Sequence, residues 1–182
     1  MSLNFFRKNE TSTITAIFKD KTTISTETKM NAFIELAKLE PDTVFICWFA
    51  ETTRIFKEDF NLNHIEIGRI LEARQIHSAM LHYKKTVFAE HYPMQVKEID
   101  LVKTWEQKNI LAFSTMDEPI FKHFGSEKML PFMKLLGMKE AEAIEHEMVS
   151  KSILRGEEKI TKLVSLEQPA NSRAEWMEKN IK

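Results

Sequence analysis

The chain has 182 residues, of which 43% are hydrophobic and 29% charged, and its formal net charge is -1. This length suits one well-buried core and is short for two domains, and the composition is that of an ordinary globular protein. Most affinity for nucleic acid comes from basic residues that neutralise phosphates. The balanced charge therefore argues against a nucleic-acid partner.

The first part of the chain predicts strands that alternate with a helix. β-Branched residues over 12–18 predict a short strand, and the apolar spacing over 27–39 predicts a helix that Pro41 ends. Residues 44–50 form a continuous apolar run, which is typical of a strand covered on both faces in a parallel sheet. Cys47 lies in this run, so we expect a small buried hydrophobe rather than a reactive thiol.

The middle of the chain continues the alternation. Residues 55–62 suggest a short helix, whereas 64–82 fit either the start of a strand or a helix. Residues 86–89 and 110–113 predict two further core strands, and the apolar spacing over 94–107 predicts a helix between them.

The C-terminal third has a helical pattern from Asp117 onward, with breaks expected at Gly125 and Gly137. A longer helix is predicted over 147–167, followed by a last turn or two around Trp176. Together these elements predict an α/β fold with three layers, α/β/α, a mainly parallel sheet and a helical C-terminal extension.

Motifs for nucleotide, metal and nucleophilic chemistry are absent from the sequence. The four glycines are too far apart for a phosphate-binding loop, and no G-x-x-x-x-G-K-[ST] occurs. A single cysteine and the lack of H-E-x-x-H exclude the known zinc patterns. The triplet at 145–147, Glu-His-Glu, is expected to be a solvated helix start. The sequence thus predicts no cofactor, no metal and no catalytic residue.

The weak candidates for a binding site are Glu51, Glu90 and His91. Each follows a predicted core strand, and α/β sheets bind ligands at the carboxyl ends of their strands. The other interpretation is ordinary loop polarity. Trp176 is a weak candidate for a partner-binding anchor, because tryptophan is common at interface hot spots; the alternative is that it folds back on its own domain.

No stretch of the chain looks like a signal peptide or approaches the roughly 18 apolar residues of a membrane helix. We therefore expect a cytoplasmic protein that does not insert into a membrane.

Three short segments of the C-terminal third are distinctive: Leu136-Gly-Met-Lys139, Glu142-Ala-Ile-Glu-His146 and Val149-Ser-Lys151. They resemble the second nucleotide-binding motor domain of SecA, the preprotein translocase ATPase. The family reads roughly L-G-M-K-x-x-E-A-I-E-H-x-x-V-T-K there, preceded by a run similar to residues 113–129. A weaker likeness extends over 22–165. The resemblance implies a RecA-like domain over residues 1–168, with a short helical tail over 169–182.

The departures from SecA suggest a degenerate relative. After its R-I-D motif the family has arginines that reach the γ-phosphate, whereas residues 101–109 here contain no arginine and no glycine. The family's phosphate loop lies in its other motor half. The resemblance therefore implies a non-catalytic pseudo-ATPase that acts through a protein partner, with a link to export left open. The alternative is a nucleotide-sensing half-domain that completes an ATP cleft in trans with a partner ATPase.

Overall fold

Five parallel strands form a single sheet. In the computed structural model, residues 18–181 are described apart from 82–83, 106, 108, 124–130, 132–134, 136, 138 and 140–141. The strands are β1 (Phe18–Thr23), β2 (Val44–Cys47), β3 (Ile70–Glu72), β4 (Thr86–Phe88) and β5 (Ile110–Thr115). Their order in the sheet is β1-β5-β4-β2-β3. Every neighbouring pair is parallel, which confirms the predicted sheet.

Six helices are described around this sheet. They are α1 (Thr26–Leu39), α2 (Ala50–Leu62), α3 (Gln95–Val102), α4 (Pro119–His123), α5 (Glu147–Leu163) and α6 (Arg173–Asn180). Serine side chains begin two of them: Ser25 accepts a hydrogen bond from the backbone nitrogen of Thr28, and Ser172 accepts one from Glu175. Each cap satisfies a backbone N–H that the first helical turn leaves without a partner.

Helices cover both faces of the sheet because its central strands alternate buried side chains between the two sides. Phe45 and Cys47 of β2 pack with α1 and α2, whereas Val44 and Ile46 pack against α3 and the 3-10 turns that follow β3. The apolar run is thus buried on both sides, as expected for a parallel sheet inside an α/β protein. The three-layer α/β/α prediction is confirmed.

Cys47 is fully buried in the first of these layers, as the sequence predicts. Burial raises the pKa of its thiol well above the usual range, and the nearby Glu90 carboxylate adds to the rise. The thiol is therefore held in its neutral, unreactive form.

The C-terminal helices pack against the carboxyl edge of the sheet. A separate apolar cluster there joins α4, α5 and α6 to the end of β2. Its members are Phe49, Ile120, Ile160, Trp176 and Met177. Because Trp176 has no exposed surface, α6 belongs to the same packed body as the sheet.

Two of the predicted elements differ from the structure. Within 64–82 the helical alternative is wrong, because Ile70 pairs with Phe45 to extend the sheet and only 3-10 turns flank it. The helical pattern from Asp117 onward is interrupted at Ile144. That residue exchanges two backbone hydrogen bonds of 2.9 Å with Thr22 in an antiparallel bridge.

Other predicted boundaries are less exact. Only Phe18 of the strand predicted at 12–18 is described, and it begins β1; the rest lies outside the described residues. The break expected at Gly125 also lies outside them, whereas Gly137 has a φ of 91°, which favours glycine. No helix in the described part of the chain is long and apolar enough to cross a membrane.

Candidate functional site

The carboxyl edge of the sheet holds a buried cluster of charged side chains. Two of the three sequence candidates are part of it: Glu90 and His91 follow β4 and are 4% and 6% exposed. Glu51 lies near the start of α2 with its side chain exposed, and its backbone N–H donates to the carbonyl of Asn171 at 3.0 Å. The edge that parallel sheets use for ligands is therefore filled by the chain's own ionic groups.

Glu90 lies at the N-terminus of α2. Its Oε1 accepts hydrogen bonds from the backbone nitrogens of Trp48 at 3.1 Å and Phe49 at 3.3 Å, and its Oε2 accepts one from Thr52 at 3.0 Å. Free N–H groups and the helix dipole make such a helix end a natural anion site. Burial raises the pKa of Glu90, against the opposing effect of the Arg173 charge.

Glu118 holds two buried cations together. Lys29 Nζ lies 2.8 Å from Glu118 Oε1, and the Arg173 guanidinium donates to Glu118 Oε2. The guanidinium also donates to the backbone carbonyl of His91 and lies 3.5 Å from Glu90. Burial alone would raise the pKa of Glu118, but the charges of Arg173 and Lys29 hold it below its usual value.

His91 occupies the other half of the cluster, among three carboxylates. Its Nε2 lies 3.0 Å from Asp20 Oδ1, its Nδ1 lies 3.1 Å from both oxygens of Glu98, and Glu157 Oε1 is 3.7 Å from the same nitrogen. Burial would lower the pKa of His91, but Glu98 and Asp20 raise it well above its usual value. Burial also raises the pKa of Glu157, and the neighbouring Glu98 charge adds to that effect.

The part of the cluster around His91, Glu98 and Glu157 could bind a metal ion. The ligating atoms of His91, Glu98 and Glu157 all lie within 4.8 Å of one another, and all three residues are buried. Imidazole nitrogen and carboxylate oxygen are both common ligands of divalent metals.

Trp176 is not available as a surface anchor in this structure. Its side chain is fully buried in the cluster with Phe49 and Met177, and its Nε1 donates to Glu167 Oε1 at 2.9 Å. The indole folds back on its own domain, which is the alternative interpretation of the sequence, and a partner-binding role for Trp176 stays a prediction.

Six charged residues of the cluster were not found from the sequence: Asp20, Lys29, Glu98, Glu118, Glu157 and Arg173. Apart from Glu98, which contacts His91 seven residues before it, their contacts join residues far apart in the chain, so no spacing marks them. One signal was available for Glu157. It lies four residues after Ile153 and three before Ile160, and therefore on the buried face of α5. A charge at such a position must find a buried partner.

Comparison with known proteins finds relatives over one part of the chain. No protein family model matches it. Over 48 residues the chain is 44% identical to the protein translocase subunit SecA of Acidithiobacillus ferrooxidans in two strains. The chain contains a SecA-related segment. That segment covers 26% of this chain and 5% of the Acidithiobacillus SecA.

A second SecA, from Anaplasma marginale, is 40% identical over 48 residues, which cover 26% of this chain and 6% of that protein. The matches thus span a small fraction of the length of each SecA. They support the resemblance to SecA over a segment, while the assignment to its second motor domain stays a prediction.

Proposed function

We propose that this chain is a non-catalytic SecA-like module that acts through protein contacts in a process connected with protein export. The observation that carries the proposal is the position of Glu90. Its carboxylate accepts the hydrogen bonds of Trp48 and Phe49 at the helix end where a phosphate would otherwise bind. The export connection rests on the SecA-related segment.

A nucleotide would meet an unfavourable environment at this edge. Its phosphates would have to displace Glu90 from the N-terminus of α2 and take over the backbone nitrogens of Trp48 and Phe49. Displacement would also remove Glu90 from the buried Arg173 charge, which lies 3.5 Å away. An intramolecular carboxylate thus substitutes for the phosphate.

The half-domain alternative requires a cation that can reach a partner's nucleotide. An arginine finger works by placing its charge on the transferring phosphoryl group. Arg173 and Lys29 are the described cations within the cluster, and both are engaged by Glu118. Releasing either would leave the buried Glu118 with one of its two cations, which makes this alternative the less favoured one.

We place the protein contact at the opposite edge of the sheet. Helices that connect parallel strands run against the strand direction, so α1 and α2 end near the amino edge. Leu39 and Leu62 are the last residues of these neighbouring helices, and they are 80% and 74% exposed. Two exposed leucines on adjacent helix ends offer an apolar contact away from the ionic cluster.

Affinity capture from the cells that express the chain tests this proposal. The tagged chain should enrich translocase subunits, quantified by mass spectrometry, and the double variant Leu39→Glu/Leu62→Glu should lose them. Leu166→Glu is the matched control, since Leu166 is 83% exposed but lies between α5 and α6. Failure to enrich any translocase subunit, or ATP hydrolysis by the purified chain, would overturn the proposal.

A further inference from the structure

Three buried side chains on separate segments converge on one point. His91 follows β4, Glu98 lies in α3 and Glu157 lies in α5, and they are 6%, 1% and 0% exposed. The ligating atoms of all three lie within 4.8 Å of one another. Their juxtaposition is independent of the Glu90 contact on which the proposed function rests.

Glu157 lacks the hydrogen bonds that a buried carboxylate needs. Neither of its oxygens has a hydrogen-bond partner among the residues that the structure describes, and Oε1 is directed at His91 Nδ1 from 3.7 Å. Buried polar groups without partners are rare, and leaving one unsatisfied costs about 1–3 kcal/mol. A cation between Glu157, Glu98 and His91 would satisfy both carboxylates at once.

The surroundings hold the other two groups in a suitable orientation. Asp20 accepts from His91 Nε2 at 3.0 Å, so Nδ1 is directed at Glu98 and Glu157 and can bind an ion in exchange for its proton. The backbone nitrogen of Tyr92 donates to Glu98 Oε1 at 2.7 Å and fixes that carboxylate. A carboxylate behind a ligating histidine is the usual outer support of a protein metal site.

A cavity of about 260 Å³ reaches two of the three groups, His91 and Glu98. Asp20, His91 and Glu98 line it, together with Glu147 and Ser150 of α5. Its volume exceeds the roughly 30 Å³ that one water occupies, so water molecules can complete the coordination of an ion. A metal site requires such an entry path.

We propose that His91 Nδ1, Glu98 and Glu157 bind one divalent transition-metal ion, of which Zn²⁺ is the best match. One nitrogen and two carboxylate ligands suit Zn²⁺ better than Mg²⁺, which prefers oxygen ligands alone. Zn²⁺ ligands at about 2.0–2.2 Å lie about 3.3–3.6 Å apart in a tetrahedron. The separations from Nδ1, 3.1 Å to Glu98 and 3.7 Å to Glu157, bracket that range.

Ion binding changes the protonation of the site in a defined way. The imidazole binds the ion through Nδ1 in its neutral form, so any proton on Nδ1 leaves to solvent. The proton on Nε2 stays on that nitrogen and is donated to Asp20.

Metal titration of the chelator-treated, full chain tests the proposal. Calorimetry with ZnCl₂ should show one ion bound per chain, and CoCl₂ should give the visible absorption of a four- or five-coordinate site. Glu157→Gln should abolish stoichiometric binding, and Asp20→Asn should weaken it by about 10–100-fold. Glu147→Gln should bind like the wild type, since Glu147 lines the same cavity but is exposed.

Circular dichroism shows whether each variant is folded. Should Glu157→Gln fail to fold, the Co²⁺ spectrum of the wild type and the Asp20→Asn titration decide. If the wild type bound no ion, the proposal would be overturned. Protons alone would then stabilise the buried side chains of His91, Glu98 and Glu157. Metal binding by Glu157→Gln equal to that of the wild type would also overturn the proposal, because the ion would then bind at the protein surface. Neither result bears on the capture of translocase subunits.

Discussion

The carboxylate of Glu90 accepts a hydrogen bond of 3.1 Å from the backbone nitrogen of Trp48, across 42 residues of sequence. This contact joins the end of β4 to the N-terminus of α2. The structural consequence is that the chain supplies its own anion to the helix end that an α/β protein offers to a ligand. The Arg173 charge, 3.5 Å from Glu90, supports the arrangement from α6.

Replacing Arg173 with alanine should lower the free energy of unfolding by about 3–5 kcal/mol, because Glu118 and Glu90 lose a buried cation. Chemical denaturation followed by circular dichroism measures the change. Arg54→Ala is the matched control. Arg54 forms an exposed pair with Glu58 within α2, so its loss should cost about 0.5 kcal/mol or less. Similar stability of both variants would contradict a structural role for Arg173.

The charge of Glu118 should make stability depend on acid pH. Although burial opposes it, the Arg173 and Lys29 charges lower the folded-state pKa of Glu118, so its contribution is present above the unfolded pKa of about 4.3. That contribution is lost as the pH falls through the lowered folded-state pKa. Glu118→Gln should therefore be less stable than the wild type by about 3–5 kcal/mol at pH 7.

The difference between Glu118→Gln and the wild type should shrink as the pH is lowered below about 4. Urea titrations across the acid range measure it. Glu58→Gln serves as the control, since Glu58 is exposed and its replacement should have a small effect at every pH. A constant difference across the range would show that Glu118 does not act through its charge.

The central strands β2 and β5 could be predicted from the sequence because they contain continuous apolar runs. Such runs, at Val44–Cys47 and over residues 110–113, indicate burial on both faces of the sheet. The bridge at Ile144 could not be predicted, because its pairing with Thr22 depends on tertiary contact and the local pattern favours a helix.

The ionic cluster was only partly accessible from the sequence. Glu90 and His91 could be predicted as site candidates because α/β sheets bind ligands at the carboxyl ends of their strands. Arg173 could not be predicted, since its contact with His91 spans 82 residues of sequence and it lies in a segment that resembles a polar tail. Ionic contacts across such separations follow from the fold and leave no periodic signal.

Truncation of Trp176 should show that α6 is part of the core. Trp176→Ala removes a fully buried indole from the cluster with Phe49 and Met177 and should cost about 3–5 kcal/mol in the free energy of unfolding. Leu166→Ala is the comparison, because that side chain is 83% exposed and should change stability by about 0.5 kcal/mol or less. A stable, fully folded Trp176→Ala variant would instead indicate a dispensable tail.

Titration of the purified chain with ATP and ADP in the presence of Mg²⁺, followed by calorimetry, shows whether Glu90 keeps nucleotide from the N-terminus of α2. With Glu90 at the N-terminus of α2 and Arg173 engaged by Glu118, we predict no heat of binding up to millimolar nucleotide. Saturable binding at millimolar or lower concentration would contradict the account. It would mean that Glu90 leaves the helix end and that the chain responds to nucleotide.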